Sequence, residues 1–202
     1  SLSNQREIGK HSQSFGRALR AALREDPDVI VLGEMRDCET VAQALTAAET
    51  GHVVLATLNA TTAHKAIDRI ISSFPADEQC QVRESFADSL RMIIAQQLVP
   101  AAGGKGRLAV FEMLKGTRAI ANLIRDNKTF QIPSIMQIGQ SSGMRTFDDS
   151  LMELVRTGRI APETAYMRAT SKDAFEPRKA KLLAMAGLEP FQTRREGALS
   201  GG

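Results

Sequence analysis

Apolar residues near the start of the chain switch between two spacings. Phe15, Ala18, Leu19, Ala22 and Leu23 recur three and four residues apart, which predicts a helix over 12–25 capped by Ser12 or Ser14. Asp26-Pro27-Asp28 then breaks the pattern, and Val29 to Leu32 follows as a continuous apolar run, β-branched at three of its four positions. Such a run reads as a central parallel strand covered on both faces. Asp37 is the expected N-cap of a helix over 38–50, with Val41, Ala44, Leu45 and Ala48 inward and Gly51 just past its end. His52 to Leu58 is a second β-branched run, and a helix to about Ser73 follows Asn59-Ala60-Thr61-Thr62. Helix and strand alternate across short connections, so the expected fold is α/β, with a parallel sheet and helices on both faces.

The character changes after Phe74-Pro75. Asp77 to about Leu98 reads as a long amphipathic helix or a helix-to-strand passage through Val82, Phe86, Leu90, Ile93 and Ile94. Strands over 96–99 and 107–113 flank Gly103-Gly104-Lys105-Gly106, the expected loop of a hairpin. Helical patterns then cover 117–126, 130–139, 146–158 and 162–170. From Ser171 onward charge, Pro and small residues mix, with a helix near 176–186 and disorder expected from Arg194.

Composition narrows the function classes without choosing one. At 202 residues the chain suits one domain, or one domain with an appendage. A hydrophobic share of 43% and a charged share of 24% are ordinary for a globular protein. A net charge of +3 is too small to argue for nucleic acid, and basic residues often neighbour acids, as in Arg24-Glu25-Asp26. One Tyr and no Trp offer little for base stacking. Cys38 and Cys80 lie far apart in helical patterns without metal-ligand spacing, which fits reduced thiols in a cytosolic protein. No apolar run approaches the roughly 20 residues that span a bilayer, and no signal peptide opens the chain. The opening Ser1-Leu2-Ser3-Asn4-Gln5-Arg6 has no initiator Met and reads as the middle of a polypeptide, so a piece of a longer protein is expected.

Candidate chemistry concentrates where the first strand ends. Open α/β sheets bind ligands at the carboxyl ends of their strands, and Glu34, Arg36 and Asp37 fall there. As residues alone these are either a polar loop, with Glu34 a cap or salt-bridge acid, or the carboxylate of a site. The fuller wording from Leu23 to Asp37, LREDPDVIVLGEMRD, resembles the Walker B region of the secretion-type hexameric ATPases, in particular the PilT-like pilus retraction family. Gly51-His52, the apolar strand and Thr57-Leu58-Asn59 resemble that family's His box. Ala119-Ile120-Ala121-Asn122-Leu123-Ile124-Arg125 resembles its retraction motif Ala-Ile-Arg-Asn-Leu-Ile-Arg, with Ala121 in place of the first Arg. The likeness runs from Ser1 to about residue 170 and takes in Ile67-Asp68-Arg69-Ile70 and Phe74-Pro75.

The resemblance implies a partial RecA-like P-loop NTPase core over 1–115, a helical region over 116–170 and a tail over 171–202. It implies ATP and Mg2+, a homo-oligomeric, hexameric ring, an inner-membrane pilus platform protein as partner, and a cytoplasmic place against the inner membrane at the pilus base. Glu34 takes the role of the catalytic carboxylate that orients water. His52, Asn59, Arg36 and Arg24 become nucleotide-sensing residues, and Asn122 and Arg125 face a partner. Read without the family, Arg24 and Arg36 serve equally well as ion-pair partners of Glu25, Asp26 or Glu39. His52 is then a satisfied polar residue before a strand, and residues 119–125 a core helix with two polar positions.

Two departures from the family shape the expectation. A phosphate-cradling loop needs G-x-x-x-x-G-K-[ST], and the Gly103-Gly104-Lys105-Gly106 cluster has other spacing and no Ser or Thr after Lys105. These 202 residues by themselves are therefore expected not to hydrolyse ATP. Asn59 stands where the family has a second histidine; it can donate a hydrogen bond but carries no titratable proton. Two functions remain: part of an active retraction ATPase, or part of a non-hydrolysing or weakly active coupling subunit of a pilus or type II secretion motor ring.

Overall fold

A computed structural model describes residues 4–172 and Phe175. The helix expected near 176–186 and the disorder expected from Arg194 lie outside the described residues. Helix α1, Phe15–Ala22, starts where Ser14 accepts a hydrogen bond from the Arg17 amide at 3.2 Å. It tightens into a 3-10 turn over Leu23–Glu25, and Asp26 takes a left-handed conformation at φ 52°. Asp26 can do so because a short polar side chain tolerates that region. Strand β1, Val29–Leu32, pairs in parallel with β2, Val53–Ala56, in register Val29↔Val53 through Leu32↔Ala56.

Between them runs α2, Cys38–Glu49, begun as expected by Asp37, whose carboxylate accepts from the Thr40 amide at 2.7 Å. Its end is closed by two reverse bonds, Gly51 N–H to Ala48 C=O and His52 N–H to Ala47 C=O, both 3.1 Å. Gly51 sits at φ +99°, the left-handed position this closure requires.

The expectation that β1 is covered on both faces is corrected. Ile30 and Leu32 are buried against Leu19 of α1 and Ala44 and Ala47 of α2. Val29 and Val31 are 52% and 72% exposed, and Val53 and Leu55 each 54%. Among the described residues the sheet has only these two strands, and its helices cover one face.

Helix α3, Ala63–Ser72, is followed by α4, Gln79–Ser89. The passage expected over 77–98 thus divides: α4 ends at Leu90, whose extended backbone starts β3, Met92–Pro100. β3 therefore begins at Met92, not Gln96, and pairs with β4, Arg107–Lys115. The turn between them contains Gly103, Gly104 and Gly106, all at positive φ. That is the geometry of a hairpin loop, as the sequence suggested. Helices α5, Arg118–Arg125, α6, Ile132–Ile138, α7, Phe147–Arg156, and α8, Pro162–Arg168, complete the described chain. The helix expected over 130–139 opens as a 3-10 turn, Thr129–Gln131, before α6.

Packing gives two compact units. Among the described residues, those up to Ala95 and Met113–Met144 form the first; Gln96–Glu112 and those after Met144 form the second. The first has Ile67, Ile71, Val82, Phe86, Ile120, Ile124 and Ile132 at its centre. The second is built on Val99, Val110, Phe147, Leu151 and Ile160.

Candidate functional site

β1 and β2 point their carboxyl ends the same way, so the segments leaving them share one edge. Two hydrogen bonds tie those segments together: the Met35 amide donates to Thr57 C=O at 2.9 Å, and the Thr57 hydroxyl donates to Gly33 C=O. Glu34 is bracketed between the two tied residues and is half-buried. Its Oε2 accepts from Arg36 Nε at 2.8 Å and lies 2.7 Å from Arg36 Nη2. Of the partners considered for Arg36, none of Glu25, Asp26 and Glu39 is used; the guanidinium turns back onto Glu34. A half-exposed pair of this kind adds little stability. What it supplies is a carboxylate and a cation held in one place at the sheet edge. Asn59 leaves β2 at this same edge, exposed, with its main-chain oxygen accepting from Arg69 Nη1 at 2.7 Å.

His52 and Arg24 are not brought to this edge. His52 precedes β2, so the length of the strand separates it from Thr57, on the order of 15 Å at the usual rise. Its Nδ1 lies 3.0 Å from Ala47 C=O and 3.1 Å from Thr50 Oγ1, which makes it part of the closure of α2. Arg24 lies in the 3-10 turn that precedes β1, exposed, again at the amino end of the sheet. The site as expected from sequence therefore splits into Glu34, Arg36 and Asn59 at one end and His52 and Arg24 at the other.

The residues expected from the resemblance to face a partner form a second locality. Ile120 and Ile124 are fully buried, while Asn122 and Arg125 are exposed on the other side of α5. Arg125 pairs with Asp88 of α4 and also donates to Asn122 Oδ1 at 3.3 Å. Both line a cleft of about 400 Å³ between the end of α4 and the start of α5. The sequence did not reveal Thr57 as the tie behind Glu34, nor Asp88, Arg91 and Arg118 as neighbours of the motif. Both depend on contacts between segments distant in the chain, which leave no local pattern.

Two properties bear on ligands. A magnesium ion carried by nucleotide phosphates needs one or two protein carboxylates, and Glu34 offers one that is fixed and partly open to solvent. Among the described residues no three or more His, Cys, Asp or Glu side chains gather as a protein-only metal cage, and no helix is long and apolar enough to cross a membrane.

A carboxylate at the exit of a parallel strand falls where α/β sheets bind ligands, and comparison with known proteins gives the family. The Type II/IV secretion system protein family matches residues 3–166, and the chain belongs to it. It is 53% identical over 175 residues to the twitching motility protein of Neisseria gonorrhoeae, covering 87% of this chain and 47% of that protein. It is 49% identical over 174 residues to the type IV pilus retraction ATPase PilT of Pseudomonas aeruginosa, covering 86% and 50%. A crystal structure of the pilus retraction motor PilT with bound ADP superposes with a TM-score of 0.76 at 47% identity, covering 86% of this chain and 49% of that one. The chain thus spans about half the length of the relatives it matches.

Proposed function

We propose that this chain is part of a ring-forming motor ATPase that powers type IV pilus retraction, and that Glu34 is its catalytic carboxylate. The observation that carries the reading is the fixing of Glu34 at the shared carboxyl edge of β1 and β2 by the Thr57 tie. Hydrolysis adds water to the γ-phosphorus of ATP and breaks its bond to the bridging oxygen of ADP, so the enzyme's task is to aim the water and balance charge. Glu34 accepts the hydrogen bond that aims the water. Arg36, already held on Glu34, supplies positive charge beside the phosphates. Mg2+, when bound, would neutralise phosphate charge, with Glu34 a carboxylate available to its water shell. Asn59 reads the γ-phosphate as a neutral donor.

The relatives named as a twitching motility protein and as a retraction ATPase support this reading, as does the PilT motor structure with ADP. In our reading the phosphate-cradling loop belongs to the part of those relatives that these residues do not span, so the 202 residues alone hydrolyse no ATP. Residues to 115 then belong to the ATPase core, 116–170 to a helical region that meets partners through Asn122 and Arg125, and those from 171 to a tail. The assembly is a hexameric ring at the cytoplasmic face of the inner membrane, working against a platform protein. His52 and Arg24 act on this site only through the frame of the sheet, or across a subunit boundary.

A second reading rests on Asn59: a coupling subunit that turns over slowly or not at all. An ATPase assay on the protein at the length of its relatives, beside Asn59→His and Glu34→Gln, separates the two. Active wild type with a silenced Glu34→Gln supports the motor. Inert wild type restored by Asn59→His supports the coupling subunit, and a rate unchanged in Glu34→Gln contradicts the assignment of Glu34.

A further inference from the structure

We propose that the cleft between α4 and α5 is a docking site for an acidic peptide segment of a partner protein, gripped by Arg91 and Arg118 beside the Arg125–Asp88 pair. The proposal rests on the partner-facing reading of the retraction motif and on nothing in the chemistry of Glu34. One wall of the cleft comes from the end of α4 and the residues after it, the other from Gly116, Thr117 and α5. The walls are locked together by backbone: the Gly116 amide donates to Arg91 C=O at 2.8 Å. A side chain on Gly116 would place its Cβ 2.0 Å from Leu90 C=O, so only glycine allows this approach. Ala121 lines the cleft with no more than a methyl group.

Charge decides the occupant. Three arginines line the cleft and Asp88 is the only acid among the lining residues, leaving two positive charges uncompensated. Asp88 is spent on Arg125, which Asn122 also steadies. Arg91 reaches only the Asp88 C=O, at 3.4 Å. The Arg118 side chain has no hydrogen bond or ion pair among the described residues. Guanidinium groups present paired donors that match a carboxylate, and here they come from both walls, so a chain bearing several carboxylates engages them together. A nucleotide suits the cleft less well because no aromatic residue lines it to stack a base. The Asn122 carboxamide, like the Thr117 hydroxyl, is able both to donate to and accept from a peptide backbone.

The test measures binding of a short peptide of alternating Glu and Gly, carrying a neutral dye, to the full 202-residue chain at low salt. Saturable binding is expected, weakened about tenfold or more by Arg118→Glu and by Arg91→Glu, as expected for lost charge-assisted bonds. Lys65→Glu, an exposed reversal on α3 outside the cleft, is expected to leave it within about twofold. Circular dichroism on each variant, with Arg118→Gln as a milder change, separates lost binding from lost folding. No saturable binding overturns the proposal, and so does equal weakening by Lys65→Glu. Displacement by inorganic phosphate at matched charge also overturns it, by reassigning the cleft to small anions, and tighter capture of single-stranded DNA does so by reassigning it to nucleic acid. None of these outcomes bears on the turnover assay, so failure here and failure of the motor reading are told apart.

Discussion

Glu34 is held by its neighbours on both sides, since Gly33 and Met35 are each tied to Thr57 across the sheet edge. Replacing Thr57 by Val removes the hydroxyl and leaves the Gly33 carbonyl without that donor. An unfolding free energy lower by about 1 kcal/mol is expected in denaturant titrations, with Thr57→Ser near wild type. His52 answers to a different demand, completing the closure of α2 with both its amide and its ring nitrogen. His52→Ala is therefore expected to cost about 1 kcal/mol of stability in the same titration. The place of Glu34 was legible because a carboxylate written straight after an apolar strand falls at that strand's carboxyl end. The strand lengths already separated His52 from it, yet a motif written in one line hides which end of a strand each residue occupies.

Helix ends are set by local chemistry, and the caps at Ser14 and Asp37 were legible in the sequence. Ser14, Asp37 and Thr117 accept bonds from the first-turn amides of α1, α2 and α5, and Thr146 and Asp149 form a reciprocal capping box on α7. Thr146→Ala is expected to lower stability by about 1 kcal/mol in thermal or denaturant unfolding. Asn127, at φ 57°, closes α5 with the two-bond pattern that Gly51 and Gly158 provide elsewhere. It escaped notice because glycine is the usual sign of such an end. On α7, Glu153 accepts a hydrogen bond from Arg145, which with that residue's charge holds its carboxyl below the ordinary glutamate range. A lowered folded value means the contribution is complete above the unfolded value and fades as pH falls through the folded one. Carbon-13 titration of Glu153 is expected to show a lowered midpoint, returning toward the ordinary value in Arg145→Gln.

At the scale of the whole chain, the β1–β2 sheet has one packed face and one open face, and this was the largest difference from the sequence reading. A run such as Val29–Leu32 looks equally apolar whether or not its second face is covered, so periodicity could not distinguish the cases. Leu32→Ala is expected to cost about 2–5 kcal/mol, whereas Val31→Ala, at 72% exposure, stays within about 0.5 kcal/mol in this chain. The family was legible throughout, in the strand-exit wording and the retraction motif, while the cleft beside that motif needed the folded chain to be seen. We propose Glu34 as the carboxylate that aims the water in a motor at the length of these relatives. Its most direct test is steady-state ATP turnover by Glu34→Gln in the protein at the length of those relatives. kcat is expected to fall about a hundredfold or more with KM nearly unchanged, the signature of a group needed in the transition state and not for binding. A variant that hydrolyses ATP at the wild-type rate would contradict it.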